Sequence, residues 1–428
     1  MSTKQQAQKT IQVCTHWQGM RNPIVMGTLY ATISRGKEIF SFDYDPSWLS
    51  SSYAQTLDPD LGLYMGPQYV REGHDNFGLF LDSCPDRWGR VLMQRREAQL
   101  AKIEGRDKRS LMESDYLLGV YDWHRMGALR FRLHEEGPFL DDRAEMATPP
   151  WVSLRDLEYA SLQLEHEDAE SHSDYMKWIK MLVAPGGSLG GARPKASVQD
   201  KKGHPWIAKF PSRRDDINVG KWEYLVHQLA QAAGIETAPA NIQCFSGNHH
   251  TFLAKRFDRT ETGERLHFAS SMTLLGKKDG EGGDTGVSYL DLVDFIIKHG
   301  AQATKDLEQL WRRIVFYICV SNTDDHLRNH GFLLQERGWV LSPAYDINPV
   351  AMGLGLSLNI SRDDNSQSFD LARSVAPIFR INHVRADAII DEVVTVVRRW
   401  PEYGKHLQLP SHEISRMKSA FRVVDKKL

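Results

Sequence analysis

Residues 321 to 330 read Ser-Asn-Thr-Asp-Asp-His-Leu-Arg-Asn-His, and Ser342-Pro343-Ala344-Tyr345-Asp346 follows a short apolar hairpin pattern. Two acids, two histidines and an asparagine crowd the end of an apolar helix, where polar groups are costly unless they are used. Phosphoryl transfer uses such a set, because its catalysis is mostly positioning and charge neutralisation. It needs an acid to accept a hydroxyl proton, an asparagine five residues on to hold magnesium, and a later acid for the same metal. Asp324, Asn329 and Asp346 come in that order. The same template asks for a strand lysine to hold phosphates and a glycine-rich loop just before it. Lys209 and the stretch Gly186 to Lys195 (GGSLGGARPK) supply both, in sequence.

A rival chemistry is metal-dependent hydrolysis, with Asp324, Asp325, His326 and His330 as ligands of a transition metal. Against it, hydrolase ligands normally gather from distant segments, and the upstream glycine-rich loop would have no use. Each piece also has a plain alternative: a turn for the glycines, a solvated edge charge for the lysine, a helix cap for the acid pair. Their order along the chain favours phosphoryl transfer.

The elements that must position these residues are legible as patterns. Leu307, Leu310, Trp311, Ile314, Val315 and Ile318 recur at helical spacing, giving a buried helix over 306–320 that delivers the acids. Residues 332–334 and 339–341 form the hairpin that brings Asp346 back. Ala196 to Val198 and Trp206 to Phe210 read as strands joined by a turn at 200–204, with helices at 222–233 and 289–299 and strands at 240–245 and 251–257. Upstream, residues 25–42 alternate around the turn Ser34-Arg35-Gly36-Lys37, a β-hairpin. Helical spacing over 77–100 is interrupted by Pro85, and 154–182 reads as a helix in two pieces. The polar glycine-rich segment 276–286 is expected to be mobile.

At 428 residues, the chain is long enough for two or three packed units at about 150 residues each. The polar, aperiodic stretch 136–150 reads as a linker after an N-terminal unit at 1–135; the glycine-rich loop and Lys209 then mark a nucleotide-binding lobe at 151–270, and the Asp324 segment a helical catalytic lobe at 271–428. Lys and Arg total 53 against 55 Asp and Glu, so no positive field draws the chain to nucleic acid. Cys14, Cys84, Cys244 and Cys319 are scattered, which argues against a zinc ribbon or a disulfide framework. With no apolar run of membrane-spanning length, the expectation is a soluble protein of the cytoplasm, without a membrane partner.

The string Asn-Thr-Asp-Asp-His-Leu-Arg-Asn, the later Leu-Ser-Pro-Ala-Tyr-Asp and the upstream Ala-Lys-Arg-Phe-Asp-Arg (254–259) resemble the HipA family of bacterial serine/threonine kinases. The likeness runs through Ser188 to Lys195 and Trp206 to Pro211, and covers roughly residues 180–400. It implies an α+β, bilobal protein-kinase-like fold with an N-terminal mixed subdomain and a mainly helical C-terminal lobe. It also implies ATP and Mg2+ as cofactors, Asp324 as catalytic base, and Asn329 and Asp346 as magnesium ligands. Gly190, Gly191, Ala192, Arg193, Pro194, Lys195 and Lys209 would hold ATP phosphates, and Lys255, Arg256 and Phe257 would lie along the adenine. His326, Arg328 and Tyr345 would complete the nucleotide site, His326 in a structural capacity. Arg193-Pro194 departs from the Gln-Glu of the best-known member. Glu223 is a candidate partner of Lys209, or else a solvated helix acid. Ser188 falls at the family's autophosphorylated serine, where phosphate would expel the loop and silence the enzyme.

Family members are toxins of type II toxin-antitoxin pairs. The resemblance therefore implies a small HipB-like helix-turn-helix antitoxin, operator DNA reached through that antitoxin, and a protein substrate such as an aminoacyl-tRNA synthetase. The alternative is a catalytically silent kinase-fold protein that acts as corepressor or antitoxin-like partner; the intact set Lys209, Asp324, Asn329 and Asp346 argues against it.

Overall fold

The computed structural model describes residues 8–140, 153–183, 191 and 193–425. Its chain divides into two compact units, residues 1–213 with 258–269, and residues 214–257 with 270–428. Residues 151–270, expected as one lobe, are thus shared between the two units.

In the first unit, β1 (Gln8–Thr15), β2 (Ile24–Ser34), β3 (Lys37–Tyr44), β4 (Gln68–Tyr69) and β5 (Leu129–Arg132) form an antiparallel sheet in the order β4-β3-β2-β1-β5. The β2-β3 turn is the expected one: Arg35 and Gly36 both take positive φ, 51° and 80°, as a two-residue turn between twisted strands demands. Alternation along the strands buries Ile11, Val13, Leu29, Ala31, Phe40 and Phe42. Phe80 packs on Phe42 with ring centres 5.5 Å apart and on Phe131 at 6.1 Å, closing the core from α2 (Gly78–Leu81). Pro85 separates that turn from α3 (Arg87–Glu104), as the sequence suggests. Further on, α5 (Leu154–Leu164) and α6 (Tyr175–Val183) are the two expected helical pieces. The hairpin of β6 (Lys195–Gln199) and β7 (Pro205–Lys209) follows.

The second unit is mainly helical. It carries α7 (Val219–Ala232), the hairpin of β8 (Ala240–Gln243) and β9 (Thr251–Lys255), α9 (Tyr289–His299) and α10 (Ala303–Val320). The hairpin of β11 (Gly331–Gln335) and β12 (Gly338–Leu341) comes next, and α12 (His383–Val397) and α15 (Arg422–Asp425) lie near the end. Helix α10 is buried along its whole C-terminal half, from Leu310 to Val320, so it is the core rather than a wall of it. Such burial fixes the place where α10 ends, and with it the segment that follows.

The glycine-rich stretch 276–286 departs from expectation. It ends in a tight 3-10 turn at Gly283–Thr285, where the Gly283 N–H donates to Ser357 O at 2.7 Å and Asn359 Nδ2 donates to Gly283 O at 2.8 Å. A Cβ on Gly283 would meet Asn359 Oδ1 at 2.8 Å, so the glycine serves close packing rather than motion. Among the described residues no helix is long and apolar enough to cross a membrane.

Candidate active site

Helix α10 stops at Ser321, which adopts φ 51° and ψ 49°, a left-handed cap in a residue that is not glycine. Such a conformation costs about 1–3 kcal/mol and persists only where the surroundings over-determine it. They do: Ser321 Oγ donates to Ala420 O at 2.7 Å, Arg422 Nη1 reaches the same Oγ at 3.3 Å, and the Val350 N–H donates to Ser321 O at 3.1 Å. The chain is thereby turned sharply out of the core, and three residues later Asp324 stands exposed.

From there the segment folds on itself. His326 N–H donates to Asp324 O at 3.1 Å, and Asn329 N–H donates to His326 O at 2.8 Å. Asn329 Nδ2 donates to Asp324 O at 2.8 Å, which fixes the amide orientation and leaves Oδ1 as the atom for a cation. Asp346 also adopts a left-handed backbone, φ 56°, and its Oδ1 accepts from Asn348 Nδ2 at 3.2 Å. Asn348 N–H in turn donates to Asn322 Oδ1 at 3.2 Å, so the two halves of the site are stitched together.

Loss of water on its inner side raises the Asp324 pKa; nearby His326 opposes the rise, and the Asp346 and Asp325 carboxylates add to it. The Asp324 and Asp346 carboxylates are close enough to repel, and a divalent cation beside them would relieve that repulsion. An asparagine oxygen and a carboxylate are hard donors suited to Mg2+, which takes one or two protein ligands and fills its shell with phosphate and water. The residues fit the ion.

Asp325 points the other way. It is buried, accepts from Tyr289 OH, and lies 2.8 Å from His330 Nε2, itself fully buried. The rival hydrolase set is therefore split: Asp325 and His330 pair with each other in the core, away from exposed Asp324. Among the described residues no three His, Cys, Asp or Glu side chains gather to hold a metal. The structural histidine of this segment is His330; His326 is half-exposed, with a buried Nδ1 that has no hydrogen-bond partner.

The remaining expected residues of this unit are tied to backbone. Tyr345 OH donates to Arg328 O at 2.6 Å and its ring lies 5.4 Å from that of Phe257, while Arg328 pairs with Asp279 at 3.0 Å. Lys255 N–H already donates to Pro239 O at 2.8 Å, so its amide is not the one left for an adenine, and Arg256 is buried. Glu223 is 3 % exposed on α7, which removes the solvated-acid alternative.

The expected phosphate-loop residues belong to the first unit. Ser188, Gly190 and Ala192 lie outside the described residues. Lys195 is 1 % exposed; its Nζ is 2.5 Å from Asp86 Oδ2 and donates to Gly191 O at 2.7 Å. The other Asp86 oxygen accepts from Gly89 N–H at 2.8 Å, capping α3. Lys195 thus anchors this stretch to α3. Pro194 O accepts from Phe210 N–H at 2.9 Å, placing Arg193-Pro194 beside the end of β7. Lys209 sits directly across from Lys195 in the β6-β7 pairing. Like charges opposite one another in antiparallel strands are destabilising, and Asp86 neutralises one of them.

The chain matches the model of the HipA-like C-terminal domain over residues 187–400, half its length. The chain belongs to the HipA family. Among curated proteins, a "Putative kinase" of Haemophilus influenzae is 26% identical over 191 residues, 40% of this chain and 55% of that protein. "Putative kinase Y4mE" of Sinorhizobium fredii is 25% identical over 231 residues, 49% of this chain and 52% of that one. The chain thus spans about half the length of the curated relatives it matches. A chain of the Shewanella oneidensis MR-1 complex of toxin-antitoxin proteins HipA and HipB with operator DNA matches over 97% of this chain and 95% of its own. Its TM-score is 0.64 at 18% identity, a likeness of fold. The architecture is accordingly the kinase-like α+β fold of HipA.

Several residues that hold these two clusters in place carry little signal in the sequence. Asp86, Tyr289, Asn348 and Arg422 are each ordinary in sequence, whereas Ser321, Asp325 and His330 stood inside a recognisable string. Asp86, directly after Pro85 and ahead of α3, carried the one local signal, that of an N-cap.

Proposed function

We propose that this HipA-family protein is an ATP- and Mg2+-dependent serine/threonine protein kinase that acts as the toxin of a type II toxin-antitoxin pair. The observation that carries the reading is the Asp324 to Asn329 knot: one bond commits the Asn329 amide nitrogen to Asp324 O and leaves its oxygen as a donor for a cation, and the exposed Asp324 carboxylate has no ion pair among the described residues. Asp324 accepts the proton of a seryl or threonyl hydroxyl as its oxygen bonds to the γ-phosphorus and the bond to ADP breaks. Its raised pKa makes it a better acceptor than a free aspartate. Asn329 and Asp346 would hold Mg2+, which when bound neutralises charge on the phosphates. Lys209, with Gly190 to Lys195, would serve the phosphates, Lys195 by anchoring the loop. Lys255 to Phe257, His326, Arg328 and Tyr345 would border the nucleotide.

Phosphorylation of Ser188 would add nearly two negative charges to that loop and silence the enzyme. A HipB-like helix-turn-helix antitoxin would carry the pair to operator DNA, in keeping with a chain of net charge −2. Growth arrest would follow phosphorylation of a cellular protein, an aminoacyl-tRNA synthetase being the family's example. Single-turnover transfer from γ-labelled ATP tests the reading: label on Ser188 or on a lysate protein is expected, and its absence from every protein would sink the assignment.

A further inference from the structure

The loop that follows Asp346 presents two large apolar side chains to solvent, Met352 at 86% exposure and Leu354 at 87%. Single exposed apolar residues are ordinary on a protein surface. These two are different because the backbone between and around them is held from several sides. Gly353 N–H donates to Val350 O at 3.2 Å, and Arg422 Nη2 donates to Gly353 O at 2.6 Å while also bonding Gln367. Leu356 and Asn365 exchange two bonds, at 2.8 and 2.7 Å, and Ser357 Oγ donates to Thr323 O at 3.2 Å. The chain then dips inward, burying Leu356 and Leu358. A loop free to collapse would hide Met352 and Leu354; this one is fixed so that it does not.

Its position relative to the reacting groups is equally fixed. Gly353 lies so close to Thr323 that a Cβ would meet Thr323 Cγ2 at 2.5 Å and Oγ1 at 2.6 Å. Thr323 is the residue before Asp324, and Val350 is bonded to Ser321. The exposed pair therefore continues the surface that carries the base. A polypeptide that brings a hydroxyl to Asp324 comes up to this part of the surface, where Met352 and Leu354 offer it apolar contacts.

We propose that Met352 and Leu354 form the platform on which the protein substrate lies, and that they select acceptor serines or threonines flanked within two residues by a large apolar side chain. This rests on the kinase reading above and adds the class of substrate: a segment pairing a hydroxyl with a leucine, isoleucine, methionine or phenylalanine. The step is unchanged: the acceptor oxygen bonds to the γ-phosphorus, ADP departs with the electrons of the broken bond, and Asp324 takes the hydroxyl proton. The platform supplies orientation. Burial of one leucine-sized side chain is favourable by about 1.5–3 kcal/mol, a preference of roughly 10- to 150-fold.

The test uses the full chain, γ-labelled ATP and an arrayed set of serine and threonine peptides in which the positions on either side of the acceptor are varied. The wild type should favour apolar-flanked over lysine-, aspartate- or serine-flanked acceptors by tenfold or more in kcat/KM. In the double variant Met352→Ser with Leu354→Ser the ratio should fall to about one. Exchange of the two side chains, Met352→Leu with Leu354→Met, should retain it. Because the readout is a ratio between peptides, a general loss of activity does not imitate the effect. Transfer without an apolar preference in the wild type, or a preference that survives the double serine variant, overturns the platform and leaves the kinase reading standing. No transfer to protein or peptide overturns the kinase reading, and the platform with it.

Discussion

Two polar clusters of this protein are built in opposite ways. In the first unit, Asp86, Lys195, Gly191 and Gly89 form a closed set: both carboxylate oxygens are engaged and the ion pair is almost fully buried. In the second, Asp324 stands exposed with no ion pair among the described residues, and the nearby Asp346 and Asp325 carboxylates repel its charge. A saturated cluster holds shape, whereas a cluster with unmet electrostatic demand is arranged for something that arrives later. The Lys195 expected at the phosphates falls in the first kind.

The contrast breaks if the clusters exchange their readouts under mutation. The largest effect is expected from Asp324→Ala, which should lower single-turnover phosphoryl transfer by about 10²- to 10⁴-fold. Its melting temperature should stay within a degree or two, because the side chain is exposed and caps nothing. ATP affinity by calorimetry should also persist; a large stability loss would place Asp324 with the closed cluster. Asp86→Ala should do the reverse, costing about 3–5 kcal/mol in denaturant unfolding, because it strands a buried ammonium. Pairing it with Lys195→Met should recover most of that loss. If Asp86→Ala unfolds no more easily than the wild type, the anchor is wrong.

Acidity offers a further separation. Asp58, buried in the first unit, has its pKa raised by burial to about 6, although the Leu79 and Asp60 N–H groups both donate to it at 2.8 Å. Its folded value lies above its unfolded one, so the native state holds the proton more tightly and stability falls as pH rises from about 4 to about 6. That penalty is of order 3 kcal/mol, and Asp58→Asn should flatten this part of the stability curve in pH-dependent unfolding. Transfer should move oppositely: it requires ionised Asp324 and should decline as pH falls through that group's raised value. The smallest effect belongs to Tyr289→Phe, which removes one donor to buried Asp325 and should cost about 1–3 kcal/mol in stability. Its effect on transfer should be far below that of Asp324→Ala.

Much of the fold is legible in the sequence alone. The periodicity of α10, the hairpins and the reactive string of 321–330 are local patterns, and local patterns are what a sequence displays. The partition within that string was not legible, because the direction of Asp325 is decided by Tyr289, a contact 36 residues away. Asp86 and Lys195 are 109 residues apart, so the anchoring role of that lysine had no local trace. Glycines misled where they pack: Gly283 looked flexible by composition and is confined by Asn359.

Arg422 has a bearing on biosynthesis. It clasps Ser321 and Gly353 across 101 and 69 residues of chain, fixing both the exit of α10 and the loop beside it. A polypeptide emerging from the ribosome makes α10 and its hairpin long before Arg422 is available to close on them. The geometry around Asp324 is therefore among the last to be completed as the chain is made.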